Sequence, residues 1–235
     1  YGVSAFQINF ASHLIKTPGD APDVLVAMNP AALKVHLKDL IPGGTVIINL
    51  GAFNARNIEK AGYEENPLED GTLDNFRLIE IDISKLTLAA VEGIEVTQKE
   101  ALRAKNLWTL GLMCWMYDRD RQPTIDWLNQ RFAKLPNIAK ANIAALNAGH
   151  AFGETAELPS EISTYMVPKA KVEPGIYRAV TGIETTCWGL LVGAQKAGLN
   201  IFFGSYPITP ASPLLHSLSN LKQYGVVTFQ AEDEI

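Results

Sequence analysis

Two short apolar runs, joined by a helix-like segment, constrain the fold more than any other feature. Residues 23–28 and 45–49 are rich in large apolar and β-branched side chains, and neither run alternates with polar residues. Strands that are buried on both faces of a sheet have this pattern. Asn29 and Pro30, an N-cap and first-turn pair, predict a helix over 31–40 between the two runs. The order of these elements predicts an α/β fold with a mostly parallel sheet covered by helices.

The middle of the chain continues the strand and helix pattern. Residues 76–83 alternate more, so they predict a further strand nearer the edge of the sheet, and Ser84 can cap a brief helix after it. Thr97 and Glu100 have the spacing of a capping box, which predicts a long helix to Tyr117. That helix is apolar on nearly every side, so it is either a central helix or an interface.

A change of pattern divides the chain. Two helices predicted over 125–133 and 138–149 close the first part, and residues 154–176 then loosen into a proline-containing linker. A second strand and helix system follows, with predicted helices over 184–197 and 214–221 and strands over 199–204 and 225–230. We therefore expect one domain over 1–153, a linker over 154–176 and part of a second α/β domain over 177–235.

Composition excludes several classes of protein. The chain has 235 residues, 47% of them hydrophobic, with 20 basic and 25 acidic side chains and a net charge of −5. It contains no dense run of Lys and Arg, so no nucleic acid partner is expected. Cys114 and Cys187 lie far apart in apolar surroundings and cannot form a disulfide framework, a zinc site or an iron–sulfur ligand set. A reducing, cytoplasmic location fits this cysteine usage best.

No segment has the pattern of a membrane span or a targeting signal. Prolines break the longest uncharged stretch, 197–221, and the apolar run 106–117 is too short for the ~30 Å hydrocarbon core. The start at Tyr1 has no initiator Met and no charged region followed by an apolar one. We expect no membrane association, and a chain that is either processed or a piece of a longer protein.

The first candidate site is the loop Tyr206-Pro207-Ile208-Thr209-Pro210, directly after a predicted strand. Ligands of open α/β sheets gather beyond the carboxyl ends of strands, and this loop runs into a helix N-terminus. A Thr209 hydroxyl beside free backbone N–H groups could bind a carboxylate. The alternative is that Thr209 only N-caps the helix, with Pro210 at its first position, and the two roles can coexist.

The second candidate site is the run of carboxylates at Glu232, Asp233 and Glu234, which follows the strand predicted over 225–230. Acidic residues are common at a helix start, where they interact with the helix dipole. A buried glutamate at the end of a strand can instead share a proton with a heterocyclic nitrogen. The four histidines are scattered, and the chain has neither a dinucleotide glycine fingerprint nor a Walker loop. No metal site is expected.

The two candidate sites together resemble the signature of the 2-oxoacid:ferredoxin oxidoreductases, which are thiamine diphosphate enzymes. The matching segments are 206–210 and 230–235. The first part of the chain is similar to the gamma-type domain that is fused ahead of the pyrimidine-binding domain in their alpha subunits. The segments that carry this similarity are 1–3, 17–20, 22–29, 105–106, 141–142 and 148–149. The likeness spans nearly the whole chain and is strongest to the alpha subunit of the 2-oxoglutarate type.

This resemblance implies a Rossmann-like gamma-type domain followed by the start of a thiamine diphosphate-binding domain. It implies an oxidoreductase subunit that acts on a 2-oxoacid, here 2-oxoglutarate, with coenzyme A as co-substrate and ferredoxin as electron acceptor. The products would be an acyl-CoA and carbon dioxide. Carried over by position, the loop 206–210 would bind the substrate, with Thr209 at its carboxylate or carbonyl region. Glu232 would be the catalytic and cofactor-binding residue, in contact with the aminopyrimidine nitrogen of the cofactor.

The resemblance also implies a partner. Two cysteines cannot hold iron–sulfur clusters, so the clusters, Mg²⁺ and the diphosphate half of the cofactor site would lie on a beta subunit. The chain departs from the family at Gly182, which is followed by Ile183 instead of asparagine. The glycine-rich unit that opens the family's gamma-type domain and most of its pyrimidine-binding domain are also missing from residues 1–235. The alternative is a non-catalytic α/β assembly or binding module, with the helix 97–117 as an oligomer interface and the loop 206–213 as a capped turn.

Overall fold

The computed structural model describes residues 3–15, 19–155, 164–209 and 211–234. The chain divides into two compact units, Tyr1–Val172 and Glu173–Ile235, which we call unit 1 and unit 2. Their boundary falls within the linker predicted over 154–176. Among the residues that carry the family resemblance, those outside the described ranges are Tyr1, Gly2, Thr17, Pro18, Pro210 and Ile235.

Unit 1 is built on a parallel sheet. Its described strands are β1 (Val24–Ala27), β2 (Thr45–Asn49) and β3 (Arg77–Ile81), which lie in the order β1-β2-β3. Every residue of β2 is buried, whereas β3 has half-buried and exposed positions. A continuous apolar run thus forms the central strand and an alternating run forms an edge strand of the described sheet. The parallel α/β fold predicted from the sequence is confirmed.

Three helices accompany these strands: α1 (Pro30–His36), α2 (Ala55–Lys60) and α3 (Ile83–Ala90). Asn29 caps α1 as predicted, because its side-chain oxygen accepts the Ala32 N–H at 2.9 Å. The helix is shorter than the predicted 31–40, since its last turn tightens into a 3₁₀ turn over Leu37–Asp39.

The prediction that Ser84 caps α3 is wrong. Asp82 is the N-cap, and its carboxylate accepts the Lys85 N–H at 3.0 Å. Ser84 lies inside the helix, where its N–H donates to Oδ1 of Asn49 at 3.1 Å and its hydroxyl accepts from Asn49 Nδ2 at 3.0 Å. Asn49 is fully buried at the end of β2. The pair therefore satisfies a buried amide and fastens α3 to the neighbouring strand.

The long helix predicted to end at Tyr117 is two helices. Thr97 and Glu100 form the predicted capping box, which opens α4 (Gln98–Arg103). The backbone then breaks at Ala104, and α5 (Lys105–Met116) begins. Two further helices follow in the described part of unit 1, α6 (Gln122–Arg131) and α7 (Pro136–Thr155), and α7 continues past the predicted end at 149.

Helix α5 is the central helix of unit 1, which is one of the two alternatives left open by the sequence. Trp108 and Leu112 are almost fully buried in a cluster with the sheet residues. Glycines bring α5 and α7 close together. A Cβ atom on Gly111 would overlap the carbonyl oxygen of Leu146, and one on Gly149 would overlap the carbonyl oxygen of Trp108. The two backbones therefore touch where any larger residue would hold them apart.

Unit 2 contains α8 (Gly182–Ala197), β4 (Phe202–Ser205), α9 (Ser212–Ser219) and β5 (Val227–Gln230). The strands β4 and β5 pair in parallel. Its core residues are Cys187 and Leu191 of α8, Leu218 of α9 and Val226. On the sheet, Phe202, Val227 and Phe229 are 70%, 55% and 57% exposed. Because side chains alternate along a strand, these three lie on one face, and that face is apolar and open to solvent.

Two further observations bear on the expectations from composition. No helix in the described ranges is both long and apolar enough to cross a membrane. Cys114 and Cys187 are free and buried, and burial raises the pKa of both thiols. Thiols held in the neutral form are poor nucleophiles, so these cysteines act as small apolar core residues.

Candidate functional site

The two candidate sites meet at one edge of the unit 2 sheet. Ser205 at the end of β4 lies opposite Gln230 at the end of β5, and the Ala231 N–H donates to the Ser205 carbonyl oxygen at 2.8 Å. The loop that starts at Tyr206 and the segment that contains Glu232 therefore leave the sheet side by side. Since both strands are parallel, this is the carboxyl edge, where open α/β sheets bind ligands.

The first part of this edge is the turn from Ile208 to Ser212. The Ser212 hydroxyl accepts the Ile208 N–H at 3.1 Å and donates to the Ile208 carbonyl oxygen at 2.8 Å. The Ser212 N–H donates to the same oxygen at 2.9 Å. Thr209 lies within this turn, is exposed, and makes no hydrogen bond to any other described residue. Its hydroxyl is thus available to a ligand.

The remaining residues of the loop differ in exposure. Tyr206 is half-buried, and its carbonyl oxygen accepts from the Ser205 hydroxyl at 3.1 Å. Pro207 and Ile208 are exposed. Pro210, which the sequence placed in the same site, lies outside the described ranges.

The alternative role of Thr209 as a helix cap is wrong. The N-cap of α9 is Ala211, which makes no side-chain cap hydrogen bond, and the proline in the first turn is Pro213. The helix begins at Ser212, two residues before the start predicted at 214, and the Ser212 hydroxyl and N–H both bond to Ile208 in the turn that precedes it. The Thr209 hydroxyl is therefore not used to stabilise α9.

Glu232 forms the second part of the edge. It is exposed, so the burial considered from the sequence is not observed, and no described residue packs over its carboxylate. No helix begins within 231–234, so a helix dipole does not explain the acidic run either. Asp233 accepts the Glu234 N–H at 2.7 Å, whereas Glu232 makes no hydrogen bond or ion pair with another described residue. Its carboxylate is available to a partner or ligand.

Sequence reasoning missed two features of unit 2. Helix α8 begins at Gly182 because Thr181 and Glu184 form a capping box, in which the Glu184 carboxylate accepts the Thr181 N–H at 2.7 Å. Hydrogen bonds from the Thr181 backbone and hydroxyl lower the pKa of Glu184. The T-x-x-E spacing was the available signal. Ser212 was the second omission, and no local pattern distinguishes it from the other hydroxyl residues of its loop.

A comparison with models of protein families shows which family the chain belongs to. A family model described as pyruvate ferredoxin/flavodoxin oxidoreductase matches residues 1–152. The chain belongs to this family. Its model covers most of unit 1 and ends before β4, so the edge formed by Thr209 and Glu232 lies outside the matched residues.

Individual relatives extend the likeness to unit 2. The 2-oxoglutarate oxidoreductase subunit KorA of Mycobacterium tuberculosis is 50% identical over 234 residues, which are 100% of this chain and 36% of that protein. A solved 2-oxoglutarate:ferredoxin oxidoreductase from Magnetococcus marinus, with 2-oxoglutarate, coenzyme A and succinyl-CoA bound, has a TM-score of 0.69 and 22% identity. The match spans 95% of this chain and 34% of the solved chain. At 22% identity, the likeness shows the fold alone. The chain thus spans about a third of the length of either relative.

The donor set at the carboxyl edge fits one half of the cofactor implied by the family resemblance. A carboxylate without a protein partner, as at Glu232, suits a single ring nitrogen, and the hydroxyl of Thr209 suits a substrate carboxylate. The diphosphate half needs a divalent cation with several oxygen ligands. Within the described ranges, no group of three or more His, Cys, Asp or Glu side chains could hold a metal ion. The described residues therefore fit the pyrimidine half only.

Proposed function

We propose that this chain is part of the alpha subunit of a 2-oxoacid:ferredoxin oxidoreductase that acts on 2-oxoglutarate. The reaction is the oxidative decarboxylation of the 2-oxoacid to an acyl-CoA, with coenzyme A as co-substrate and ferredoxin as electron acceptor. The observation that carries the proposal is the parallel pairing of β4 and β5, which brings Thr209 and Glu232 to one edge. The identity to the KorA subunit supports 2-oxoglutarate as the substrate.

In this proposal the gamma-type domain spans 1–153, within unit 1, and the start of the pyrimidine-binding domain spans 177–235, within unit 2. The segment 154–176 links them. The family match over residues 1–152 and the boundary between the compact units support this division.

The loop 206–210 binds the 2-oxoacid. The Thr209 hydroxyl donates a hydrogen bond to the substrate carboxylate or to its carbonyl oxygen, and Tyr206 and Ile208 supply the loop's larger side chains. Pro207 and Pro210 restrict the backbone on either side, which lowers the entropy that the loop loses when substrate binds. The exposed position of Thr209 supports this role.

Glu232 holds the pyrimidine ring of thiamine diphosphate. Its carboxyl group shares a proton with the ring nitrogen and so favours the tautomer of the ring that can act as a base. When bound, thiamine diphosphate supplies the electron sink that decarboxylation of a 2-oxoacid requires. Glu232 needs a water-poor environment for this proton to stay shared, and we assign the exclusion of water to the partner subunit.

The partner is a beta subunit that carries the iron–sulfur clusters, Mg²⁺ and the contacts to the diphosphate. An iron–sulfur cluster needs more thiolate ligands than the two cysteines of residues 1–235 supply. Cys114 and Cys187 are also buried and lie in different units. Their reduced, buried state is consistent with a cytoplasmic location.

Turnover by the full-length protein, purified with its partner subunit, tests the proposal. Reduction of a viologen dye is followed with 2-oxoglutarate or pyruvate, with and without coenzyme A and thiamine diphosphate. We expect turnover of 2-oxoglutarate that needs both coenzyme A and thiamine diphosphate. Replacement of Thr209 by Ala should raise KM for 2-oxoglutarate about tenfold, the loss expected for one hydrogen bond to a charged group. Absence of any thiamine-dependent turnover would favour the non-catalytic α/β module instead.

A further inference from the structure

We propose that Ser212 is a positioning residue that holds Thr209 in place for the substrate. This inference rests on the function proposed above and concerns a residue that does not itself touch the substrate. Its basis is the pattern of hydrogen bonds at the start of α9.

The hydroxyl and the N–H of Ser212 both form hydrogen bonds with a single residue, Ile208. Its hydroxyl accepts from the Ile208 N–H at 3.1 Å and donates to the Ile208 carbonyl oxygen at 2.8 Å, and its N–H donates to that same oxygen at 2.9 Å. A serine hydroxyl has one proton to donate and can accept as well, so it can satisfy both backbone groups of one residue. The two peptide units on either side of Ile208 are thereby held, one by its N–H and the one before Thr209 by its carbonyl oxygen.

The two ends of this contact differ in their packing, because Ser212 lies on a helix packed in the core of unit 2 and Ile208 lies in an exposed loop. Helix α9, which begins at Ser212, is held in the core of unit 2 by Leu215 and Leu218, which are 6% and 0% exposed. Ile208 and Thr209 are exposed and have no such apolar support. The hydrogen bonds of the Ser212 hydroxyl therefore hold the loop in a fixed position relative to α9.

The other end of the loop is fixed independently. Ser205 is the last residue of β4, and its carbonyl oxygen accepts the Ala231 N–H from the segment that leads to Glu232. The distance between Thr209 and Glu232 is thus set by the sheet on one side and by Ser212 on the other. Loss of the Ser212 hydroxyl removes two of the three hydrogen bonds to Ile208 and leaves the segment that leads to Glu232 unchanged, which predicts weaker substrate binding without loss of Glu232 function.

The test uses the full-length protein with its partner subunit, assayed by viologen reduction with 2-oxoglutarate. Ser212→Ala should raise KM about tenfold and change kcat by less than about threefold, since a substrate-binding contact is weakened and no reacting group is removed. Ser219→Ala is the matched control. Its hydroxyl also donates to a backbone carbonyl, that of His216 at 2.7 Å, but at the far end of the same helix. This variant should retain both constants.

A double variant separates a positioning role from a general loss of structure. If Ser212 acts through Thr209, the variant with both Thr209→Ala and Ser212→Ala should have the same KM as Thr209→Ala alone. Additive effects would overturn the inference. A Ser212→Ala variant that matches Ser219→Ala would overturn it too, while a raised KM in Thr209→Ala would still uphold the proposed function. If Thr209→Ala itself has no effect while 2-oxoglutarate is still turned over, the substrate-binding role of Thr209 and the positioning role of Ser212 both fail, and the proposed reaction stands.

A shape-matched pair covers the case in which Ser212→Ala does not assemble. Ser212→Thr keeps a hydroxyl and Ser212→Val has nearly the same shape without one. We expect Ser212→Thr to retain KM within about threefold. Ser212→Val should raise KM about tenfold, as expected for Ser212→Ala. Equal KM values for the Thr and Val variants would overturn the inference.

Discussion

Gly149 of α7 lies directly against the backbone carbonyl of Trp108 in α5, with no room between them for a Cβ atom. Gly149→Ala should therefore push the two helices apart and destabilise the protein by about 3 kcal/mol, as overpacking of a core does. Urea unfolding measures the change. Gly189→Ala, in α8, is the control, because nothing lies within 4 Å of the position that its methyl group would take and alanine favours a helix by about 1 kcal/mol. A neutral Gly149→Ala would contradict the close contact.

Tyr117 carries the second prediction, which concerns alkaline pH. Burial, followed by the nearby charge of Asp23, raises the pKa of Tyr117 to about 12. Its ring packs edge-on against Phe10 and stacks on Tyr165, with centroid distances of 5.0 and 5.6 Å. Because the folded pKa lies above the unfolded one, the stabilising contribution is complete below about pH 10 and is lost as the pH rises towards 12.

Tyr117→Phe keeps the ring contacts and removes the ionisable group. The free energy of unfolding of this variant should fall less steeply above pH 10, by about 1–2 kcal/mol in total after allowance for partial exposure. Unfolding in urea at a series of pH values measures the slope. An unchanged slope in Tyr117→Phe would show that the phenol does not resist ionisation.

The capping box of α4 makes the third prediction, at acid pH. The Thr97 hydroxyl and then its backbone N–H lower the pKa of Glu100 by hydrogen bonding to its carboxylate, at 2.7 and 2.8 Å. The folded pKa lies below the unfolded one, so this stabilisation is present above the unfolded pKa and is lost as the pH falls through the folded value. Thr97→Val should raise the pKa of Glu100 in an NMR titration. Thr155→Val, whose hydroxyl bonds Ala151 instead, should leave it unchanged.

Glu232 provides the fourth prediction, for the assembled enzyme. Glu232→Gln keeps the size of the side chain but cannot share a proton with a ring nitrogen, so turnover should fall by about 100-fold or more. Glu234→Gln removes an exposed carboxylate two residues away and should have little effect. Both are surface changes in this chain, so neither should shift the midpoint of thermal unfolding. Near-normal turnover of Glu232→Gln would remove this residue from the site.

Local patterns in the sequence were sufficient where a short segment determines its own structure. Strand β2 was predicted with the bounds it has, because five consecutive buried positions leave a continuous apolar run. The capping box at Thr97 and Glu100 was predicted for the same reason, since both partners lie within one turn.

Predictions from local patterns failed where two nearby residues could make the same contact and a residue distant in the sequence determines which of them does. Asp82 and Ser84 are both good N-cap residues, and Ser84 is excluded only because the buried Asn49, 35 residues away, takes its hydrogen bonds. Thr209 and Ser212 are a similar pair, and the chain uses Ser212 to shape the turn, which leaves Thr209 unused. The meeting of Thr209 with Glu232 at one edge follows from the order of strands and helices, whereas the exposure of Glu232 does not follow from its sequence.

The open face of the β4–β5 sheet affects how the chain behaves before any ligand is present. Phe202, Val227 and Phe229 together form an aromatic and aliphatic surface that water solvates poorly. Molecular chaperones and hydrophobic dyes bind surfaces of this kind, and chains that display them self-associate at high concentration. These three side chains therefore add to the tendency of residues 1–235, on their own, to self-associate during purification.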